Sequence, residues 1–289
     1  MLTLTSGEMN TWIAALLWPL SRILGLITSA PLFGNGSFPI SGKVLLGVML
    51  AMIIAPTIPA GPAADPMSLA GLLIVLQEMI IGLAMGFVMR IVFAAVEMAG
   101  EVASLTMGLG FASVFDPQTK GRSSAVSQFL ALIATMAFLA VNGHLVLLEA
   151  LAESFTSLPI ASTPIAAGAP YQMARWGATI FSYGLQLSLP IVAALLITNV
   201  ALGILTRAAP ALNLFGIGFP ISLGVGLLLI AQSLNYLNMP LQNLFNQGIE
   251  AARQIPRSAA ARTAPTVQPV VPAGAPTPQA EKSADEVKQ

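Results

Sequence analysis

The chain has 289 residues, of which 56% are hydrophobic and 8% charged, with a formal net charge of zero. Soluble domains carry about 25% charged residues, so a chain this poor in charge is an integral membrane protein. Zero net charge removes nucleic acid and acidic substrates as electrostatic partners. The absence of cysteine excludes disulfides, thiol nucleophiles and thiolate metal sites.

In chain order, the N-terminus does not read as a cleaved signal. Its first charged residue is Glu8, no basic segment precedes the apolar run, and Pro31 follows Ser29 and Ala30 where a cut would fall. Six apolar stretches follow, near 12–30, 44–58, 69–93, 126–148, 178–206 and 212–237. About 20 residues are needed to cross the hydrocarbon core as a helix, which makes this an all-α membrane protein. Pro/Gly-rich connectors such as "APLFGNGSFPISGK" and "APTIPAGPAADPM" separate the stretches. From about Arg253 the composition turns to proline and alanine without helical period, as expected of a disordered tail over 253–289. Nine of the 24 charged residues fall from Glu250 onward, which leaves the apolar body nearly bare of charge.

The spans are unusual. The second is short before Pro56, while Arg22 lies inside the first and Glu78 inside the third. Charges at such depth are costly against lipid and face other protein or water. Alternate loops place Lys43, Arg90, Lys120, Arg122 and Arg207 on one side, with Arg175 and the basic tail on the other, so loop charge gives no orientation. Helices of this kind look built to lie against other subunits.

Between the third and fourth stretches the chain reads "TMGLGFASVFDPQTKGRSSAVSQF". Lipid-exposed backbone cannot break in this way, because its N–H and C=O groups would find no partner. The segment either sits outside the bilayer or lines the interior of an assembly. Taken alone, the residues favour an extramembrane turn whose phenylalanines dip into headgroups.

Other patterns stand beside plainer readings. Gly82 and Gly86, four apart in "GLAMG", let a second helix approach closely, unless they reflect only a glycine-rich chain. Arg90, Glu97 and Glu101 share a helix face, where a buried polar contact or an exposed face competes with a proton relay. His144 reads as an interfacial or packing histidine. Gln232, Asn235, Asn238, Gln242 and Asn246 recur every three or four residues and form one amide stripe, suited to a partner helix or a wet path. The plainer alternative is an amphipathic helix at the membrane surface. No G-x-S-x-G, H-E-x-x-H, Walker or G-x-G-x-x-G pattern occurs, so neither enzyme chemistry, nor a cofactor, nor a metal is expected.

An ordered set of motifs resembles the FliR family of flagellar type III export gates, similar to the SctT family of injectisomes. "LTRAAPALNLFGIGFPISLGVGL" carries Arg207, Pro210, Asn213, Phe215, Gly218 and Pro220. "SRILGLITSAPLFGNGSFPISGK" carries Arg22, Pro31, Gly34, Pro39 and Lys43, and "QEMIIGLAMGFVMR" carries Glu78, Gly82 and Gly86. "MGLGFASVFDP" supplies Gly108, Asp116 and Pro117, and "NGHLVLLEALAESFTSLP" supplies Gly143, His144, Ser154, Phe155 and Pro159. The set covers about residues 10–250.

The resemblance implies a FliP-like helical unit over 1–170, a FliQ-like hairpin over 171–252, and assembly with FliP- and FliQ-type subunits. FlhA- and FlhB-type components and unfolded export substrates would be further partners. The place implied is the bacterial inner membrane within the flagellar basal body, with a cytoplasmic tail. It further implies that the loop at about 106–122 plugs the export channel through Gly108, Gly110, Phe111, Ala112, Val114 and Phe115. Glycines there permit tight backbone, and the apolar side chains form a constriction that ions cross poorly. Arg22, Glu78, Gly82, Gly86 and the Arg207–Pro220 motif residues would serve packing and assembly. A secondary transporter for a small solute is the alternative, but no convincing repeat relates the two halves.

Overall fold

The computed structural model describes residues 6–59, 61–62, 64–111, 124–161, 168–209 and 214–260. Among them the regular structure is entirely helical: α1 (Ser6–Ser29), α2 (Ile40–Ile54), α3 (Leu69–Thr106), α4 (Ala125–Ala140), α5 (Gly143–Ser157), α6 (Gly168–Gly177), α7 (Thr179–Ala208) and α8 (Phe219–Ala260). Short 3-10 turns at Ala55–Thr57 and Leu109–Phe111 and a π turn at Leu214–Gly218 complete it. Five helical stretches are long and apolar enough to span a bilayer, with α4 and α5 together forming a bent sixth.

α3 is the axis. It starts at Ser68, whose hydroxyl accepts from the Gly71 N–H and satisfies one of the first-turn donors. Its first half lies along α1 and its second half along α4, α7 and α8. The sequence places the end of this span near Phe93, yet the helix runs on to Thr106. Val96, Ala99, Gly100 and Ala103 continue one buried stripe, so tertiary packing carries the helix past the purely apolar run.

Phe93 of α3, Phe138 of α4 and Phe245 of α8 lock these helices together. Their ring centroids lie 5.7, 5.2 and 5.8 Å apart, two pairs edge-to-face and one stacked. Each such pair adds about 0.5–1.5 kcal/mol beyond its buried area.

The fourth apolar stretch is not one straight helix. At Val141–Asn142 the chain bends by 67° between α4 and α5. Asn142 adopts a left-handed backbone (φ 55°), and the Phe138 ring fills the space a side chain on Gly143 would need. The last helix also exceeds expectation. Leu237, Leu241, Leu244, Phe245, Gly248, Ala252, Ile255 and Ala259 form one buried face, so α8 continues through Pro240 and Pro256 to Ala260. Helix therefore extends beyond Arg253, where the composition changes. Residues 261–289 lie outside the described residues.

Coverage is uneven. Two thirds (67%) of α3's most apolar window is buried, against 17% for the Met173–Ala208 stretch and 17% for Ile40–Thr57. Leu69, Leu72, Leu76 and Met79 face outward at one end of α3, while Leu196, Val200, Ile204 and Leu205 of α7 face outward at the other.

Candidate functional site: the charge clamp and the loop foot

Two polar constructions sit at opposite ends of α3. At the first, α1 and α3 cross at backbone contact. A Cβ on Gly25 would come within 2.5 Å of the Met79 carbonyl oxygen, one on Gly82 would strike the Arg22 carbonyl, and one on Gly86 the Ser29 hydroxyl. The Gly82–Gly86 pair thus does what its spacing allows, removing side-chain bulk where two backbones meet.

This close crossing brings Arg22 onto Glu78, both fully buried. The Arg22 Nε donates to Glu78 Oε2 at 2.6 Å, and the guanidinium lies 4.3 Å from the centroid of the Phe155 ring. Nη1 donates to the Ser154 carbonyl and hydroxyl at 2.9 and 3.1 Å, and Nη2 to the Leu158 carbonyl at 3.0 Å. Those carbonyls end α5, where a helix leaves acceptors unpaired and carries partial negative charge. One cation of α1 therefore joins a carboxylate of α3 to an aromatic face and the helix end of α5. Both members of the ion pair are sealed from solvent.

At the other end lies the foot of the glycine loop. After Thr106 the chain passes Met107, buried, to Gly108 at φ 83°, a left-handed conformation that favours glycine, and into the 3-10 turn Leu109–Phe111. The Met107 N–H donates to the Ala103 carbonyl at 3.0 Å and the Gly108 N–H to the Leu105 carbonyl at 3.1 Å. The Thr106 carbonyl accepts from Asn199 Nδ2 of α7 at 3.2 Å, and Asn199 Oδ1 accepts from the Ser222 hydroxyl of α8 at 3.0 Å. Gly226 of α8 leaves room for the Met107 side chain, which would touch any Cβ placed there.

The return of the loop is held differently. Glu101 Oε2 accepts from the Ser124 N–H at 3.0 Å, while the Ser124 hydroxyl caps α4 by accepting from the Ser127 N–H at 3.1 Å. The Ser127 hydroxyl donates to the Glu97 carbonyl at 2.8 Å, and Gly100 brings α3 against the Ser127 backbone. Glu101 is thus tied to the loop end. Arg90 and Glu97 are exposed, and no ion pair joins them among the described residues.

Of the sequence-predicted loop residues, Gly108, Gly110 and Phe111 belong to this foot, whereas Ala112, Val114, Phe115, Asp116 and Pro117 lie outside the described residues. The amide stripe forms on α8 as its spacing requires. Gln232, Asn235, Asn238 and Asn246 are exposed and Gln242 is half-buried, with Gln242 Nε2 donating to Asn238 Oδ1 at 3.0 Å. Arg207 ends α7 exposed, Phe215 sits in the π turn, Gly218 is buried and Pro220 exposed; Pro210 and Asn213 lie outside the described residues. His144 stands in the first turn of α5, its buried Nδ1 without a hydrogen-bond partner among the described residues. Among the described residues no three His, Asp or Glu side chains gather as a metal site. Asn199 and Ser222 were not singled out from sequence; a lone asparagine within an apolar span is the signal that points to the first.

Residues 13–248 match the family of bacterial export proteins, family 1. Over 247 residues the chain is 40% identical to the flagellar biosynthetic protein FliR of Pectobacterium carotovorum subsp. carotovorum, covering 86% of this chain and 94% of that protein. FliR of Escherichia coli K12 is 38% identical over the same coverage. FliR of Bacillus subtilis 168 is 30% identical over 237 residues, 81% of this chain and 91% of that one.

Proposed function

This chain belongs to the bacterial export proteins, family 1, in the company of FliR, and on that premise we propose that it is a gate subunit of the flagellar type III export channel. It is a membrane component of the flagellar export apparatus. In our reading it lines the path of unfolded export substrates and contributes the glycine loop as a hydrophobic plug.

The observation that carries the subunit reading is a length. α3 has 38 residues, roughly 57 Å at 1.5 Å per residue. Outward-facing apolar side chains run from Leu69 at one end to α7 residues beyond Asn199, which lies beside Thr106 at the other. A hydrocarbon core is about 30 Å thick, and a tilt of up to about 40° does not shorten such a surface enough. In our reading part of it meets protein, which suits a chain packed among FliP- and FliQ-type neighbours with FlhA- and FlhB-type components nearby. On this reading residues 1–170 are the FliP-like unit and 171–252 the FliQ-like hairpin. The assembly sits in the inner membrane, with the tail on the cytoplasmic side.

The plug reading is supported by the way the loop is mounted. Both of its ends are hydrogen-bonded to the bundle, and its exit needs a left-handed glycine, so the segment leaves from fixed points. An apolar stopper with no fixed ligand set suits a pore that admits unrelated chains. Deleting Gly110–Phe115 is expected to raise ion leak across the membrane while the chain still co-purifies with its neighbours. Unchanged leak with assembly retained would remove the plug from this account.

A further inference from the structure

We propose that Asn199 is a positioning residue that seats the end of α3 on the α7–α8 hairpin, so that the exit of the loop follows that hairpin. What the seat serves rests on the plug reading above; the seat itself rests on geometry.

The first argument is an accounting of backbone acceptors. A helix that ends in an apolar surrounding leaves its last carbonyls without intrahelical partners. At the end of α3 the Ala103 carbonyl is taken by Met107 N–H and the Thr106 hydroxyl (2.7 Å), and the Leu105 carbonyl by Gly108 N–H. The Thr106 carbonyl receives Asn199 Nδ2 instead. That bond comes from a different helix, 93 residues along the chain.

The second argument concerns Asn199 itself. An amide on the outer face of an apolar helix is unfavourable unless both of its ends are bonded. Asn199 has its donor on α3 and its acceptor on α8, through the Ser222 hydroxyl. Both bonds hold only while α7 keeps its place relative to both neighbours. Gly226 adds a steric fit at the same level, since only an absent side chain lets α8 pass over Met107.

The third argument is the asymmetry of the two loop ends. The return, at Ser124, is held by Glu101 of α3 and capped on α4. The exit, at Thr106–Gly108, is held by both hairpin helices. A sliding of α7 against α8 therefore bears directly on the exit, whereas the return is held through α3 and α4. An asparagine so placed transmits the position of the hairpin to the loop.

The natural chain has no cysteine, so one introduced thiol reports alone. Leu109→Cys, at a half-buried position packed on the core, reads the seat, and Val75→Cys reads the far end of α3. Maleimide labelling would be measured in membranes holding the full chain with its accompanying apparatus. Asn199→Leu is expected to speed labelling at Leu109→Cys several-fold and leave Val75→Cys unchanged. Asn199→Asp keeps the acceptor for Ser222 but sets an oxygen against the Thr106 carbonyl, so it should act alike and serves if the leucine variant fails to accumulate. Ser222→Ala should give a smaller rise. Unchanged labelling at Leu109→Cys overturns the proposal, as does an equal rise at both reporters, which would mean general loosening. A local rise combined with no leak on deleting Gly110–Phe115 keeps the seat and removes the plug. Leak on deletion without any labelling change keeps the plug and removes the seat.

Discussion

The two ends of α3 solve the same problem by opposite means. Each must bring polar groups to rest inside apolar surroundings where three helices meet. At the α1 crossing the solution is a full charge pair, sealed from solvent, with the guanidinium spending its donors on Glu78, Ser154 and Leu158. At the loop foot it is one neutral amide on the outer surface, bonded at 3.2 and 3.0 Å. A buried ion pair resists separation, because pulling it apart strands charge in a low-dielectric interior. Two neutral hydrogen bonds are each worth about 0.5–1.5 kcal/mol net and can be exchanged. Rigidity is thus built into the end at the α1 crossing, and adjustability into the end that carries the glycine loop.

The contrast can be broken most directly at the clamp. Arg22→Met should cost about 3–5 kcal/mol by leaving Glu78 buried without its partner, seen as a large fall in the denaturant or thermal midpoint of the purified chain. Adding Glu78→Leu to it should recover part of that loss. A double variant as damaged as the sum of the two singles would show that the charges do not act as a pair.

Next in size is Gly82→Leu, which forces a side chain into the Arg22 backbone and should cost about 1–3 kcal/mol or more. A stable Gly82→Leu protein would mean that α1 and α3 do not cross at backbone contact. Smaller again is Ser124→Ala, expected to cost about 1 kcal/mol by uncapping α4. Because Glu101 is held by the Ser124 backbone, the loop's return should stay in place, and labelling at Leu109→Cys should not change.

The smallest effect has the opposite sign. A side chain on Gly203, on the open face of α7, meets nothing within 4 Å. Gly203→Ala should therefore stabilise the isolated chain by about 0.5–1 kcal/mol. In the assembled apparatus the same change should weaken co-purification if a neighbour packs there. Equal behaviour alone and assembled would assign that face to lipid.

Several features were legible from residue order because they are local. Charge scarcity states the membrane environment, apolar run length states the helices, and Gly82 and Gly86 at a four-residue spacing permit a close helix contact, with a glycine-rich chain as the equal alternative. The amide stripe from Gln232 to Asn246 needed only the helical period. Arg22 and Glu78 could each be read as facing protein or water rather than lipid, since either charge is costly against lipid.

Their pairing could not be read, because the two are 56 residues apart and only the α1–α3 crossing brings them together. The apolar runs on either side of Asn142–Gly143–His144 join into one span-length stretch, so the 67° bend was hidden; the Asn142–Gly143 dipeptide was its local trace. Asn199 gave still less, since the worth of a lone amide depends on which carbonyl and which hydroxyl arrive beside it. Composition and period report what each segment can tolerate by itself. Which segments become neighbours is set by long-range packing, and there the polar groups of this chain acquire their partners.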